Sequence, residues 1–275
     1  MSAEQQTFIL KNIISLTSAL WVALNLFISF LLVLPVSIIS LLLPLPIISR
    51  AASYIVDKIY RNAVRMDSFW MQDVVGIQLI VKGARNKDKT PVVICNHQSW
   101  FDIPLVQEVI TGKGPIVRFL IKQEIVWIPI IGWICLALNF PRLQRNKRSD
   151  SRASDYSIIQ KESKSHGDGA GALLIFPEGT RFTEQKKTIQ NGPYQHLLKP
   201  KAGGLKMIQQ HADPDTSLID ITIDYHQKGV HIWNCLHGDP RTVTITIEHF
   251  KLSEINNVES WLNQRWLEKD KIFSA

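Results

Sequence analysis

Apolar and polar positions are distributed unevenly along the chain. From Asn12 to Ser49 no residue is charged, and Leu, Ile, Val, Trp and Phe dominate. A run of this length exceeds the ~20 residues that cross a bilayer and is too long for the apolar region of a secretory signal, so it reads as a retained anchor. Pro35 divides it into a segment of spanning length and a shorter second one, and a break is expected there. One membrane helix or a helical hairpin both fit. Lys11 precedes the run, whereas Arg50, Lys58, Arg61 and Arg65 follow it. A single span would therefore leave the rest of the chain on the cytoplasmic side, and a hairpin would keep both ends there.

Beyond residue 50 the pattern changes to short apolar runs alternating with helical ones. A helix is expected over 51–73, then strands at Ile77–Lys82, Pro91–Cys95, Ile116–Ile121 and Ala172–Phe176, with a polar helix at Asp150–Ser165. Ser217–Asp224 and Thr242–Ile247 are β-branched and alternating, and they extend the sheet. Asn256–Lys271 closes the chain as a helix with Val258, Trp261, Leu262 and Trp266 inward and Glu259, Lys269 and Asp270 elsewhere. The stretch 125–141 is again uncharged but holds Pro129 and Gly132, which suits a core element or a surface meeting lipid or an acyl chain. The expected architecture is an α/β fold, a mixed sheet with flanking helices, preceded by an N-terminal hydrophobic membrane helix or hairpin. Residues 1–50 form the anchor and 51–275 the catalytic domain.

Charge alters this picture little. Lys and Arg outnumber Asp and Glu by 31 to 24, giving +7, and in a membrane-attached chain such an excess suits anionic lipid. No nucleic-acid recognition motif accompanies it, so no nucleic acid partner is expected. Cys95, Cys135 and Cys235 imply no disulfide framework, and the nearby His226, His231 and His237 fit no zinc spacing. No metal or bound cofactor is implied.

Two strand ends carry the chemistry. The first delivers Asn96-His97-Gln98-Ser99-Trp100-Phe101-Asp102, where open α/β sheets place their sites. In one straight helix His97 and Asp102 would lie about 140° apart. They meet only if His97 is in the loop and Asp102 in the following turn, which Ser99 is placed to cap. Asp102 then accepts from one imidazole nitrogen and leaves the other as base. The second strand end reads Phe176-Pro177-Glu178-Gly179-Thr180-Arg181. There glycine allows close approach, Glu178 and Thr180 offer hydroxyl contacts, and Arg181 offers a fork for phosphate.

With these two clusters the sequence resembles the glycerolipid acyltransferase family, whose Asn-His-x-x-x-x-Asp and Phe-x-Glu-Gly-Thr-Arg motifs match residues 96–102 and 176–181. The absence of Val-Pro-Val at Ile219–Ile223, and the run His196–Gly204, make it most similar to the lysocardiolipin and lysophosphatidylglycerol acyltransferase branch with its bacterial members. The resemblance implies a base at His97, an orienting carboxylate at Asp102, and acceptor binding by Glu178, Gly179, Thr180 and Arg181. It also implies a phosphate contact at Lys122 and a second-motif arginine for which both Arg142 and Arg145 fit. The implied partners are a lysophospholipid or lysophosphatidic acid acceptor, an acyl-CoA or acyl-carrier protein thioester, and membrane lipids. The implied location is a membrane, with the catalytic domain on the cytoplasmic face, the inner membrane in a bacterium. Two alternatives stay open: a lipid hydrolase in which His97 activates water, and a non-catalytic membrane adaptor. A covalent route through Ser99 lacks a Gly-x-Ser-x-Gly elbow.

Overall fold

A computed structural model describes residues 2–85, 88–112, 114–119, 121–127, 131–137, 140, 142–143 and 171–273. The expected helix at Asp150–Ser165 and the candidate Arg145 lie outside the described residues.

Helix α1 spans Ala3–Leu42 and contains Pro35, so the break expected there does not occur. The chain turns instead around Pro44 and Pro46. Leu43, just before Pro44, leaves helical geometry, and Pro46 occupies the first turn of α2, Pro46–Phe69, where a missing N–H costs nothing. The boundary drawn at residue 50 thus falls inside α2. A short π-helical turn, Trp70–Val74, leads from α2 to the sheet.

At about 1.5 Å per residue, the 40 residues of α1 make a rod of ~60 Å. Its first half is docked on the rest of the chain. Ser15 donates to the Trp233 carbonyl at 2.8 Å, Trp233 Nε1 donates to Asn12 at 2.9 Å, and Trp70 Nε1 donates to Ser18 at 2.9 Å. Asn25 ties α1 to α2 by donating to the Ala63 carbonyl and to Asp67. The outer face of α1 from Phe8 onward, and the tip at Leu41 to Ile47, expose large apolar side chains.

The main sheet has six strands, β1 Gln78–Lys82, β2 Val92–Cys95, β3 Val117–Phe119, β6 Ala172–Ile175, β7 Ser217–Asp224 and β8 Thr242–Lys251. Their spatial order is β1-β8-β7-β2-β6-β3. All neighbours are parallel except β7 and β8, as expected of a mixed sheet. The run expected as one strand at Ile116–Ile121 divides. Its last residue belongs to β4, Ile121–Lys122, which pairs with β5, Arg142–Leu143, in a separate two-stranded sheet.

Strand β2 is central and fully buried, so its side chains alternate between two cores. Val93 and Cys95 face a cluster with Met71 after α2 and with Phe101, Leu105 and Val109 along α3, Asp102–Thr111. Val92 and Ile94 face a second cluster built with Leu205 and Ile208 of α6, Gly203–His211, and Trp266 of α8, Val258–Ile272. Among the described residues the remaining α-helices are α4 Ile131–Ala137, α5 Glu184–Gln190 and α7 Ile232–Cys235. Lys269 and Asp270, placed off the inward face by helical periodicity, are both buried, because each meets a polar partner in the domain.

Candidate active site

Beyond Cys95 the β2 ladder ends, and Asn96 continues it with its side chain. The amide donates to the Ile223 carbonyl at 3.0 Å and accepts from the Ile223 N–H at 2.8 Å, which locks the ends of β2 and β7 together. The next residue, His97, is held at both ends of its peptide: its N–H donates to Glu178 Oε1 at 3.2 Å, and its carbonyl accepts from Phe182 at 2.8 Å. The imidazole stacks on Phe176, with centroids 3.9 Å apart and planes inclined by 16°.

His97 Nδ1 lies 2.7 Å from Asp102 Oδ2. Asp102 opens α3 and is fully buried. Its Oδ2 also takes the backbone N–H groups of Gln98 at 2.7 Å and Ser99 at 3.0 Å, while Oδ1 takes the Tyr225 hydroxyl at 2.5 Å. Burying an unpaired carboxylate would be costly, and these donors together with the helix N-terminus offset that cost. Because its other neighbours all donate, Asp102 is placed to accept from His97 Nδ1, an arrangement that would leave Nε2 able to take a proton. Ser99 does not cap α3 with its side chain. Its hydroxyl accepts from the Phe101 N–H at 3.3 Å, and at 2% exposure it is poorly placed to act as a nucleophile.

At the second strand end Gly179 adopts φ +70°, a conformation that glycine takes without strain, and its N–H closes the turn onto the Phe176 carbonyl. Glu178, expected among the acceptor contacts, is instead fully buried beneath His97, where Trp266 Nε1 donates to its Oε1 at 3.4 Å. Burial raises its carboxyl to about 8, against the lowering effect of the His97 N–H and the Trp266 indole. Thr180 accepts from Lys186 at 2.7 Å. Arg181 is exposed, with its guanidinium 4.5 Å from the centre of the Trp100 ring, so the two motif loops meet at the surface.

Lys122 and Arg142 belong to the small sheet, in which Ile121 pairs with Arg142 and Lys122 with Leu143, so their backbones adjoin. A small open pocket is walled by Gln98, Phe182, Glu184, His196, Tyr225, Lys228 and Phe273, of which Gln98 and Tyr225 also hydrogen-bond Asp102. Tyr225, Asn96 and Trp266 escaped the sequence as site residues. Only Asn96 had a local signal, its place at the very end of a buried strand. Tyr225 follows β7 directly, and its hydroxyl stays protonated because burial, then the neighbouring Asp102 charge, push it well above the usual phenol range.

A family described as Acyltransferase matches residues 78–225, which include both motif loops and Tyr225. Among curated relatives, 2-acyl-1-lysophosphatidylinositol acyltransferase of Saccharomyces cerevisiae is 28% identical over 66% of this chain and 60% of its own length. An uncharacterized acyltransferase of Schizosaccharomyces pombe is 27% identical over 67% of this chain and 59% of its own. Lysocardiolipin acyltransferase 1 of Danio rerio is 24% identical over 84% and 64% respectively. This chain therefore spans less than two thirds of the length of these relatives. The crystal structure of the 1-acyl-sn-glycerophosphate acyltransferase PlsC from Thermotoga maritima shares the fold. The two superimpose with a TM-score of 0.60 at 19% identity, over 95% of this chain and 98% of that one.

Proposed function

Because this chain belongs to the acyltransferase family, we propose that it moves a fatty acyl group from a thioester to a hydroxyl of a lysophospholipid or lysophosphatidic acid, with His97 as general base. The observation that carries this is the 2.7 Å contact between His97 Nδ1 and a buried Asp102 carboxylate that is itself held by three further donors. The acceptor oxygen loses its proton to Nε2 as it attacks the thioester carbonyl. The tetrahedral intermediate collapses with expulsion of the thiolate, which takes the proton from the imidazolium. A positioned base of this kind contributes ~10²–10⁴ in rate. Arg181, exposed beside the dyad loop, is the phosphate contact, and Gly179 and Thr180 shape the turn that presents it. Lys122 and either Arg142 or Arg145 are further acceptor contacts. The thioester is acyl-CoA or an acyl-carrier protein.

The membrane half of this function is a hairpin lodged in the cytoplasmic leaflet. Lys11 precedes the apolar run, yet it pairs with Asp239 of the catalytic domain at 3.5 Å. A single span would hold these residues on opposite sides of the bilayer. Among the described residues one helix, α1, is long and apolar enough to cross, and α2 returns from its tip.

Purified protein given lysophosphatidic acid, lysophosphatidylglycerol or lysophosphatidylinositol with labelled acyl-CoA, or with acyl-carrier protein, tests the reaction. Thioester consumption is expected to require the lysolipid, and His97→Ala is expected to abolish it. Consumption without lysolipid would make the enzyme a hydrolase, and full activity in His97→Ala would remove the base.

A further inference from the structure

The last helix, α8, lies outside the stretch matched by the family. Its buried side is nonetheless not apolar throughout, since Trp266, Lys269 and Asp270 are 0%, 1% and 8% exposed. Burying a lysine and an aspartate is costly unless each finds partners, and an all-apolar face would pack the same helix without that cost. The partners converge on residues 96 to 98.

One path starts at Trp266, whose indole N–H donates to Glu178 Oε1, the oxygen that receives the His97 backbone N–H. A second starts at Asp270. Its two carboxylate oxygens accept the backbone N–H groups of Gln195 and His196 at 2.7 Å each, and the His196 carbonyl accepts from the Gln98 side chain at 3.0 Å. A third runs through Lys269, which reaches Asp220 at 2.5 Å and the Ile221 carbonyl at 2.6 Å on β7, the strand whose Ile223 holds Asn96. Residues 96, 97 and 98 are thus each tied to the same helix, His97 and Gln98 through a single intervening residue and Asn96 along β7.

We propose that α8 is a positioning element of the acyl-transfer site, in which Trp266, through Glu178, fixes the backbone of His97 and Asp270, through His196, fixes the side chain of Gln98, and that both so govern turnover rather than substrate affinity. This rests on His97 acting as the base. Neither residue needs to touch substrate. The effect is geometric, because a displacement of a base by about 1 Å can cost on the order of 10²-fold in rate.

The test uses the full chain in lipid–detergent micelles, with kcat and both KM values normalised to folded protein. Trp266→Phe keeps an aromatic ring and removes the N–H. Asp270→Asn keeps one acceptor oxygen of two. Each is expected to lower kcat by on the order of 10-fold while leaving KM for acyl-CoA and lysophosphatidic acid nearly unchanged. Trp266→Phe and Glu178→Gln together are expected to cost less than the product of their separate losses, since they interrupt one path. If Trp266→Phe does not fold, Glu178→Gln reads that path from its other end and Asp270→Asn reads the second. Wild-type kcat per folded molecule in these variants, with only a lower melting temperature, would make α8 ordinary packing and overturn the proposal. A wild-type chain that transfers no acyl group would overturn it together with the assignment of the base.

Discussion

Tyr225 and Asp102, 123 positions apart, meet in a 2.5 Å hydrogen bond in which the phenol donates to the carboxylate oxygen that His97 does not use. The contact is therefore a line of three, His97 to Asp102 to Tyr225, with its last member supplied by the residue that follows β7. A donor on Oδ1 fixes the plane of the Asp102 carboxylate, and with it the direction from which Oδ2 meets the imidazole.

Tyr225→Phe keeps the ring and removes that donor. A hydrogen bond to a charged group contributes ~1.5–3 kcal/mol, so a lower melting temperature is expected. Without that donor Asp102 orients the imidazole less firmly, and kcat is expected to fall several-fold with both KM values little changed. An unchanged kcat per folded molecule would make Tyr225 a packing residue.

Arg181 is exposed and holds its guanidinium over the Trp100 ring. Lysine at that position retains charge but neither stacks in the same way nor grips two oxygens at once. Arg181→Lys is expected to raise the acceptor KM roughly ten-fold, the equivalent of about one charge-assisted hydrogen bond, with the thioester KM little changed. Equal effects on both substrates would move the phosphate contact to Lys122 or to Arg142 or Arg145.

The Glu178 carboxyl, raised by burial to about 8 from an ordinary 4.5, ties stability to pH. Unfolding returns it to the ordinary value, so between these two pH values the native chain binds more protons than the unfolded one. Stability attributable to this group therefore falls as pH rises through that window and is level outside it. Glu178→Gln carries no such proton. Its melting temperature is expected to fall less steeply across the window than that of the wild type, and parallel curves would mean that the carboxyl titrates normally.

The hairpin tip exposes Leu41, Leu42, Leu43 and Ile47. Each such side chain moved from water into lipid contributes ~1.5–3 kcal/mol. Replacing the three leucines by glutamine is expected to shift the protein from the pellet to the supernatant after carbonate extraction, while detergent-dispersed lysolipid is still acylated. A variant that stays in the pellet would place the anchor along the outer face of α1 rather than at its tip.

The two motif loops were legible because each lies at the end of a short buried strand, where a local sequence suffices to bring His97 and Asp102 together. Tyr225 was not legible, because its contact exists only once β7 lies beside β2. Glu178 was seen as a polar residue at a strand end, but sequence does not tell whether such a side chain points up into a cleft or down into a core. Periodicity places Lys269 and Asp270 off the inward face, because it separates faces but is blind to Asp220 and to the amides of Gln195 and His196 on the buried side. The hairpin turns at Pro44 and Pro46 rather than Pro35, because two prolines within three residues interrupt the helical hydrogen bonding more thoroughly than one alone.

Helix α2 runs without interruption from Pro46 at the hairpin tip to Phe69. On the way Arg61 donates to the carbonyls of Thr111 and Gly114 at the end of α3, and Ser68 donates to Glu108 within it at 2.6 Å. The helix that begins with Asp102 is thereby bolted to the helix that rises from the tip. The tip therefore cannot shift without taking α3 along, and any surface that held the tip would also fix the orientation of the Asp102 loop toward it.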